Sequence, residues 1–514
     1  MEVGHALPLD GRKVIVAGRK TSYRSTMRDM LLSLGASEVS GASDCAEVVR
    51  QVRTAAVDVI LCDYQLDDHR DGQQLLEELR HDKLIPQATI FMMVTAEKAY
   101  KKVVAAAEFA PDAYLVKPFT FNQLLDRMTR ARRRKDALSA VYALIEAGRV
   151  DDAIDECRQV MRSSPEYLVD SQRLACDLMM RSQHYADAEL LLSEIIVRSA
   201  APWALMGLAS IRYAQHRLDA AEGLLTDLVA QHPEYMNARD FLATVKDASG
   251  RPAEALALLE DSVAISNASV DRLRRTGDLA AATGNFEKSA CIYARAIDRT
   301  RGSSMVLAQD YLALSRAYVE QGRLEAAEQV AADQRRSMRG SAEQHVVYHL
   351  MRHQRLRNTS SGDELSGAAA ALDDAVNAHA EVEATIAPVI AIDLLEVCLQ
   401  EKRADEVTRI TGTLRTRGDV EPHVIARLDQ ICPDSRGLKT RARSNVSLDQ
   451  VIAMLGRLDS QGWNEALGHA CRQSVIHWAD AALDAPLLPV ARARLAEVMR
   501  KYGIDSGTQA PVIA

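Results

Sequence analysis

The chain has 514 residues, 47% hydrophobic, 26% charged and 4% aromatic, with a formal net charge of -8. That length exceeds one ordinary core and predicts roughly three domains, or one domain followed by an extended array. The acidic balance argues against a surface built to neutralise nucleic-acid phosphates, and the Ala- and Leu-rich composition favours helix.

The opening residues, MEVGHALPLDGRK, hold no apolar signal core. No run of about 18 apolar residues follows, so no membrane association and a cytoplasmic location are expected. Short apolar runs of strand length then recur at Val14–Ala17, Asp58–Cys62, Thr89–Val94 and Ala113–Val116. Between and after them, helical periodicity marks 25–34, 44–53, 73–80, 98–107 and 122–134. Near-continuous apolar strands alternating with helices predict a parallel sheet covered on both faces, a doubly wound α/β domain of the flavodoxin-like kind. Asp44 with Glu47, and Thr120 with Gln123, have the spacing of helix capping boxes.

In open parallel sheets the site lies beyond the carboxyl ends of the strands. The residues there are Gly18 and Arg19, Asp63, Thr95 and Lys117. The segments LCDY, VTA and LVKPF, in that order and at those strand ends, resemble the receiver domain of two-component response regulators over residues 11–132. The resemblance implies that Asp63 accepts a phosphoryl group from a sensor histidine kinase or phosphotransfer protein. Thr95 and Lys117 would stabilise the phosphoryl oxygens, and Tyr114 would be the aromatic switch. An ammonium and a hydroxyl donor beside a carboxylate are what charge accumulation in such a transfer requires.

One departure stands out. Receivers end their first strand in an acidic pair that holds a divalent metal, but here VIVAGRK places Gly18 and Arg19 at those positions. A magnesium-like ion needs anionic oxygens, so Mg2+ is expected to bind weakly or not at all. Either the domain is a pseudo-receiver with impaired phosphorylation, the favoured reading, or Arg19 and Lys20 partly replace the metal's charge. The basic run RMTRARRRK (127–135) is expected at the end of the last receiver helix, complementing its dipole and leading into a connector.

Beyond residue 134 the sequence repeats. Segments such as EAGRVDDAIDECRQV, QHRLDAAEGLLTDLV and ATGNFEKSACIYARAI share a turn residue, a hydrophobic residue two later and a small residue three after that. The small residues are Ala153, Ala188, Ala221, Ala255, Ser289 and Ala327, spaced 35, 33, 34, 34 and 38 apart. This period resembles the tetratricopeptide repeat over 134–340, a helix-turn-helix unit that stacks into a superhelix with a protein-binding groove. Gly148, Gly250, Gly284 and Gly322 mark the turns, with Gln183 and His216 in the equivalent places, while Trp203 and Met179–Met180 are read as core. Degenerate helical repeats are expected over 341–432, with 399–415 as one worn unit, then a linker at 433–447 and a helical bundle at 448–504.

The eight cysteines are scattered, without C-x-x-C pairs or zinc spacing, and no Gly-rich phosphate loop, nucleophile elbow or nucleotide-cyclase-like signature occurs. No enzymatic activity is therefore expected. The reading is a response regulator acting as a phosphorelay adaptor, its receiver's state changing how the basic helix packs on the first repeat. The alternative is a DNA-binding transcriptional regulator, although no reading head is recognisable and nucleic acid is not the expected partner.

Overall fold

The computed structural model describes residues 7–67, 70–96, 111–265, 269–338, 343–359, 362–420 and 422–432. The predicted helix at 98–107, the linker at 433–447 and the bundle at 448–504 lie outside the described residues.

Five parallel strands, β1 (Lys13–Ala17), β2 (Glu38–Ala42), β3 (Val59–Asp63), β4 (Ile90–Thr95) and β5 (Ala113–Val116), form one sheet in the order β2-β1-β3-β4-β5. Helices α1 (Thr21–Ser33), α2 (Cys45–Thr54), α3 (Gly72–His81) and α4 (Phe121–Ala137) cover it. The strand period of two sorts β1 between the layers. Val14 and Val16 pack with Met27 and Leu31 of α1 and Leu124 and Met128 of α4, whereas Ile15 and Ala17 pack with Val48 of α2 and Leu75 and Leu79 of α3. The doubly wound α/β expectation is met. Strand β2, EVSGA, lacks an apolar run because it is an edge strand, buried only at Val39 and Ala42.

Local capping differs from expectation at one place. Thr120 and Gln123 close a reciprocal box, but the Glu47 carboxylate turns to the Ser43 amide (2.8 Å) rather than to Asp44. A further box, Asp71 with Gln74, starts α3. Helix α4 runs through position 133 and is followed, after Leu138 alone, by α5 (Ser139–Glu146), so no loop separates sheet domain from repeats.

Six helical hairpins follow. They are α5 with α6 (Val150–Ser163), α7 (Leu168–Arg181) with α8 (Tyr185–Ser199), α9 (Pro202–Ala214) with α10 (Leu218–Gln231), α11 (Met236–Ala248) with α12 (Pro252–Ile265), α13 (Val270–Ala282) with α14 (Phe286–Thr300), and α15 (Ala308–Glu320) with α16 (Leu324–Ser337). Each turn residue is left-handed: Gly148, Gly250, Gly284 and Gly322 have φ of 70–79°, and Gln183 and His216 have φ of 60° and 58°. The following amide bonds back across the turn in the manner of a Schellman cap, as in Arg149 to Leu144 O (2.9 Å) and Asn285 to Ala280 O (2.7 Å). The predicted small residues are all buried, which lets the paired helices approach. Trp203 is half-buried against the first repeat core with the Arg173 guanidinium 5.2 Å from its ring, and Met179 is buried.

By internal packing the described residues sort into two units, one running to 344 with 351–370, the other 345–350 with 371–432. Helix α17 (Glu343–Arg357) and α18 (Gly362–Val382) come next in the chain. In the second unit α19 (Pro388–Gln400) and α20 (Ala404–Thr416) repeat the hairpin device, and α21 (Pro422–Ile431) follows. Lys402 takes the left-handed turn (φ 58°), and Arg403 bonds back to Cys398 O (2.8 Å). Val407 stands where the other hairpins have Ala or Ser, which is why 399–415 reads as a worn unit.

Candidate functional site

Because β1, β3, β4 and β5 are adjacent and parallel, their carboxyl ends share one edge of the sheet. Asp63 is the last residue of β3, Thr95 the last of β4, and Lys117 follows β5. Register pairs Asp63 with Val94 and Thr95 with Val116. The Lys117 amide donates to Thr95 O (2.7 Å), and its ammonium reaches Asp63 Oδ2 at 2.5 Å. Three of the expected residues are thus brought together. Tyr114, on β5, is half-buried against the other sheet layer, beside the α2–α3 core.

Gly18 explains the departure at the end of β1. Its φ is not left-handed, so backbone freedom is not what selects glycine there; a Cβ would stand 2.6 Å from Tyr23 Cδ1. The Tyr23 ring, from the first turn of α1, fills the space a side chain at Gly18 would use. The Lys117 ammonium lies 4.4 Å from that ring's centroid while it pairs with Asp63, so one cation sits between a carboxylate and a π face. The Tyr23 hydroxyl is buried without a hydrogen-bond partner among the described residues. Burial, and then the Asp63 charge, push its pKa well above the ordinary tyrosine range, so the hydroxyl stays protonated. Arg24 ties down the strand end, donating to Gly18 O (2.5 Å) and Arg19 O (2.9 Å).

Arg19 and Lys20, the alternative replacements for the metal's charge, are exposed, and Lys117 pairs with Asp63. Tyr23 was not legible as a site residue, because helical periodicity places the start of α1 at Ser25, whereas the helix begins at Thr21. An aromatic residue five positions after a strand-end glycine is the signal that was available.

The basic run has a structural occupation. Asp112, 9% exposed at its side chain, pairs with Arg134 (2.7 Å) and Lys135 (2.9 Å), and it also accepts the Phe91 amide (2.9 Å). Burial lowers the Lys135 pKa against the pull of Asp112. Arg130 pairs with Asp126, and Arg132 with Asp136 (2.6 Å), so four of the run's six cations face carboxylates. No described helix is long and apolar enough to cross a membrane.

Residues 14–129 match the family model of the response regulator receiver domain. Chemotaxis protein CheY-3 of Vibrio cholerae is 23% identical over 122 residues, 24% of this chain and 92% of that protein. Among solved structures, a response regulator receiver domain protein from Clostridium thermocellum is 23% identical, covering 25% of this chain and 98% of that one, with a TM-score of 0.22. A tetratricopeptide repeat protein from Parabacteroides merdae is 14% identical, covering 51% of this chain and 97% of that one, with a TM-score of 0.35. Residues 14–129 thus match the response regulator receiver domain, and a single helix junction joins them to an array of helical hairpins with a tetratricopeptide-like period.

Proposed function

We propose that the chain is a phosphorelay adaptor whose receiver is impaired as a phosphoacceptor and whose repeat groove holds a protein target. In this reading Asp63 is the acceptor, Thr95 and Lys117 stabilise the phosphoryl oxygens, and Tyr114 is the switch, with a sensor histidine kinase or phosphotransfer protein docking on the receiver. The observation that carries it is the Tyr23 ring against Gly18, with the Lys117 ammonium between ring and Asp63.

A magnesium-like ion does not fit the residues present. Hard cations take oxygen ligands, several of them anionic, and Gly18 and Arg19 supply no carboxylate. Among the described residues no cluster of three metal-ligating side chains occurs, and Asp63 Oδ2 already meets Lys117. Without an ion, Lys117 and the Thr95 hydroxyl alone must offset the charge that gathers on the equatorial oxygens during transfer. The pair Lys117–Asp63 also gives the unmodified carboxylate a fixed counter-charge, which favours one signalling state. Catalysis has no place in this reading; the output is binding.

The test is to incubate the intact protein with a small-molecule phosphodonor, with and without Mg2+, and to follow its mass and the proteins it captures. The expected result is little or no incorporation and the same captured proteins for wild type and Asp63→Asn. Magnesium-dependent incorporation that Asp63→Asn abolishes would overturn the impairment.

A further inference from the structure

Helix α3 has the wrong burial for its sequence. Its apolar residues Leu75, Leu76 and Leu79 enter the sheet core, and the opposite face of such a helix is ordinarily solvated. Here that face carries Gln73, Gln74, Glu77 and Glu78, which are 1%, 6%, 5% and 2% exposed. Buried polar side chains require partners.

Gln73 donates to Glu77 on the same helix (3.2 Å), but the partners of Gln74 and Glu78 come from the turn between α14 and α15, more than two hundred residues away. Glu78 Oε1 accepts both the amide and the hydroxyl of Ser304, each at 3.0 Å. Gln74 donates to Arg299 O (2.9 Å), and Arg70, itself paired with Glu78, donates to Gly302 O (3.2 Å). The Arg299 guanidinium lies 3.6 Å from Asp71. Glu78, Arg299 O and Gly302 O thus each accept from a donor across the contact. The turn is also built to present these groups: Gly302 is left-handed (φ 75°), and Ser303 Oγ bonds Thr300 O (2.7 Å) while accepting the Met305 amide (3.2 Å).

The surface so covered begins at the acceptor residue. The Gly72 amide donates to Tyr64 O (2.7 Å), and a Cβ on Gly72 would lie 2.9 Å from Asp63 O. We infer that the polar face of α3 is a docking surface whose occupant is the chain's own repeat array, the α14–α15 turn being its ligand. Helix α3 and the turn joining the fifth and sixth hairpins are therefore held together, and an external partner for α3 has to displace the turn.

Amide hydrogen exchange on the full chain tests this. Ser304→Glu sets a carboxylate against Glu78, and the amides of 72–81 are expected to exchange about tenfold faster, with the helices of 168–248 unchanged. Adding Glu78→Gln to that variant removes the Glu78 part of the repulsion, leaving Asp82, which also faces Ser304, and is expected to return the rate part of the way toward wild type. Should exchange rise throughout the array, Ser304→Ala decides, since losing one hydroxyl bond is expected to raise exchange about threefold in 72–81 alone. Rates over 72–81 within about twofold of wild type in both Ser304 variants would overturn the inference. The same comparison in an Asp63→Asn background is independent of whether Asp63 is phosphorylated.

Discussion

Replacing Gly18 by alanine isolates the role of the Tyr23 ring. A Cβ at this position meets the ring at 2.6 and 2.7 Å, while Asp63 Cβ is 3.9 Å away, an ordinary contact. The ring must therefore move, and overpacking of this kind costs about 1–3 kcal/mol. Removing the ring with Tyr23→Ala costs on the order of 2 kcal/mol through lost burial and the lost Lys117 contact. Once it is gone, Gly18→Ala has open space and an unstrained φ, and its effect is expected within about 0.5 kcal/mol of zero. The double-mutant coupling energy is then about 1–3 kcal/mol. Trp203, Trp463 and Trp478 all lie outside residues 14–129, so tryptophan fluorescence does not report on the receiver. Amide exchange of peptides from β1 and β3 does. If Gly18→Ala destabilises those strands equally with and without Tyr23, the ring is not what holds the position as glycine.

Further expectations concern the rest of the chain. His379, in α18, is buried, and burial followed by the Arg409 charge lowers its pKa from 6.5 to about 4. Between those values the unfolded chain takes up a proton that the folded one refuses, so stability falls as pH drops from 6.5 toward 4, by about 3 kcal/mol in all. A His379→Gln chain followed in urea at several pH values is expected to lack that component; a parallel pH dependence would refute it. Asp112→Asn leaves Arg134 and Lys135 without their shared carboxylate and is expected to destabilise the receiver by about 3–5 kcal/mol, seen as loss of exchange protection in β4 and α4. Gly250→Ala, at a φ of 76°, is expected to cost about 1 kcal/mol in a thermal melt. Gln183→Gly is expected to be neutral within about 0.5 kcal/mol, because relief of left-handed strain offsets the added freedom of the unfolded chain. Retention of DNA on filters that weakens steeply with salt would favour the transcriptional alternative over an adaptor.

What the sequence made legible follows burial. Strands β1, β3 and β4 are covered on both faces and announce themselves as VIVA, VILC and IFMMV, whereas the half-covered edge strand β2 does not. Asp63, Thr95 and Lys117 were readable because strand ends locate a site in this fold, and the structure brings them to one edge. Tyr23 was hidden by a helix start four residues earlier than periodicity suggested. The α3 face was hidden for a different reason. Gln73, Gln74, Glu77 and Glu78 have the composition of a solvated surface, and only a partner distant in the chain makes them interior. Turn glycines were plain, while Lys402 became a turn residue only once its left-handed backbone was seen.

The contact between Glu78 and Ser304 spans 226 residues, and the receiver is also continuous with the first hairpin through Leu138. The hairpins from α5 to α14 are therefore strung between two anchors on the same domain, as a bow is by its string. A helical array bends by summing small rotations between neighbouring repeats, and two fixed ends constrain that sum. A change in the bend of the array therefore loads both anchors, the Leu138 junction at one end and the Glu78–Ser304 contact at the other. By reciprocity, loosening the Glu78–Ser304 contact makes the array easier to bend.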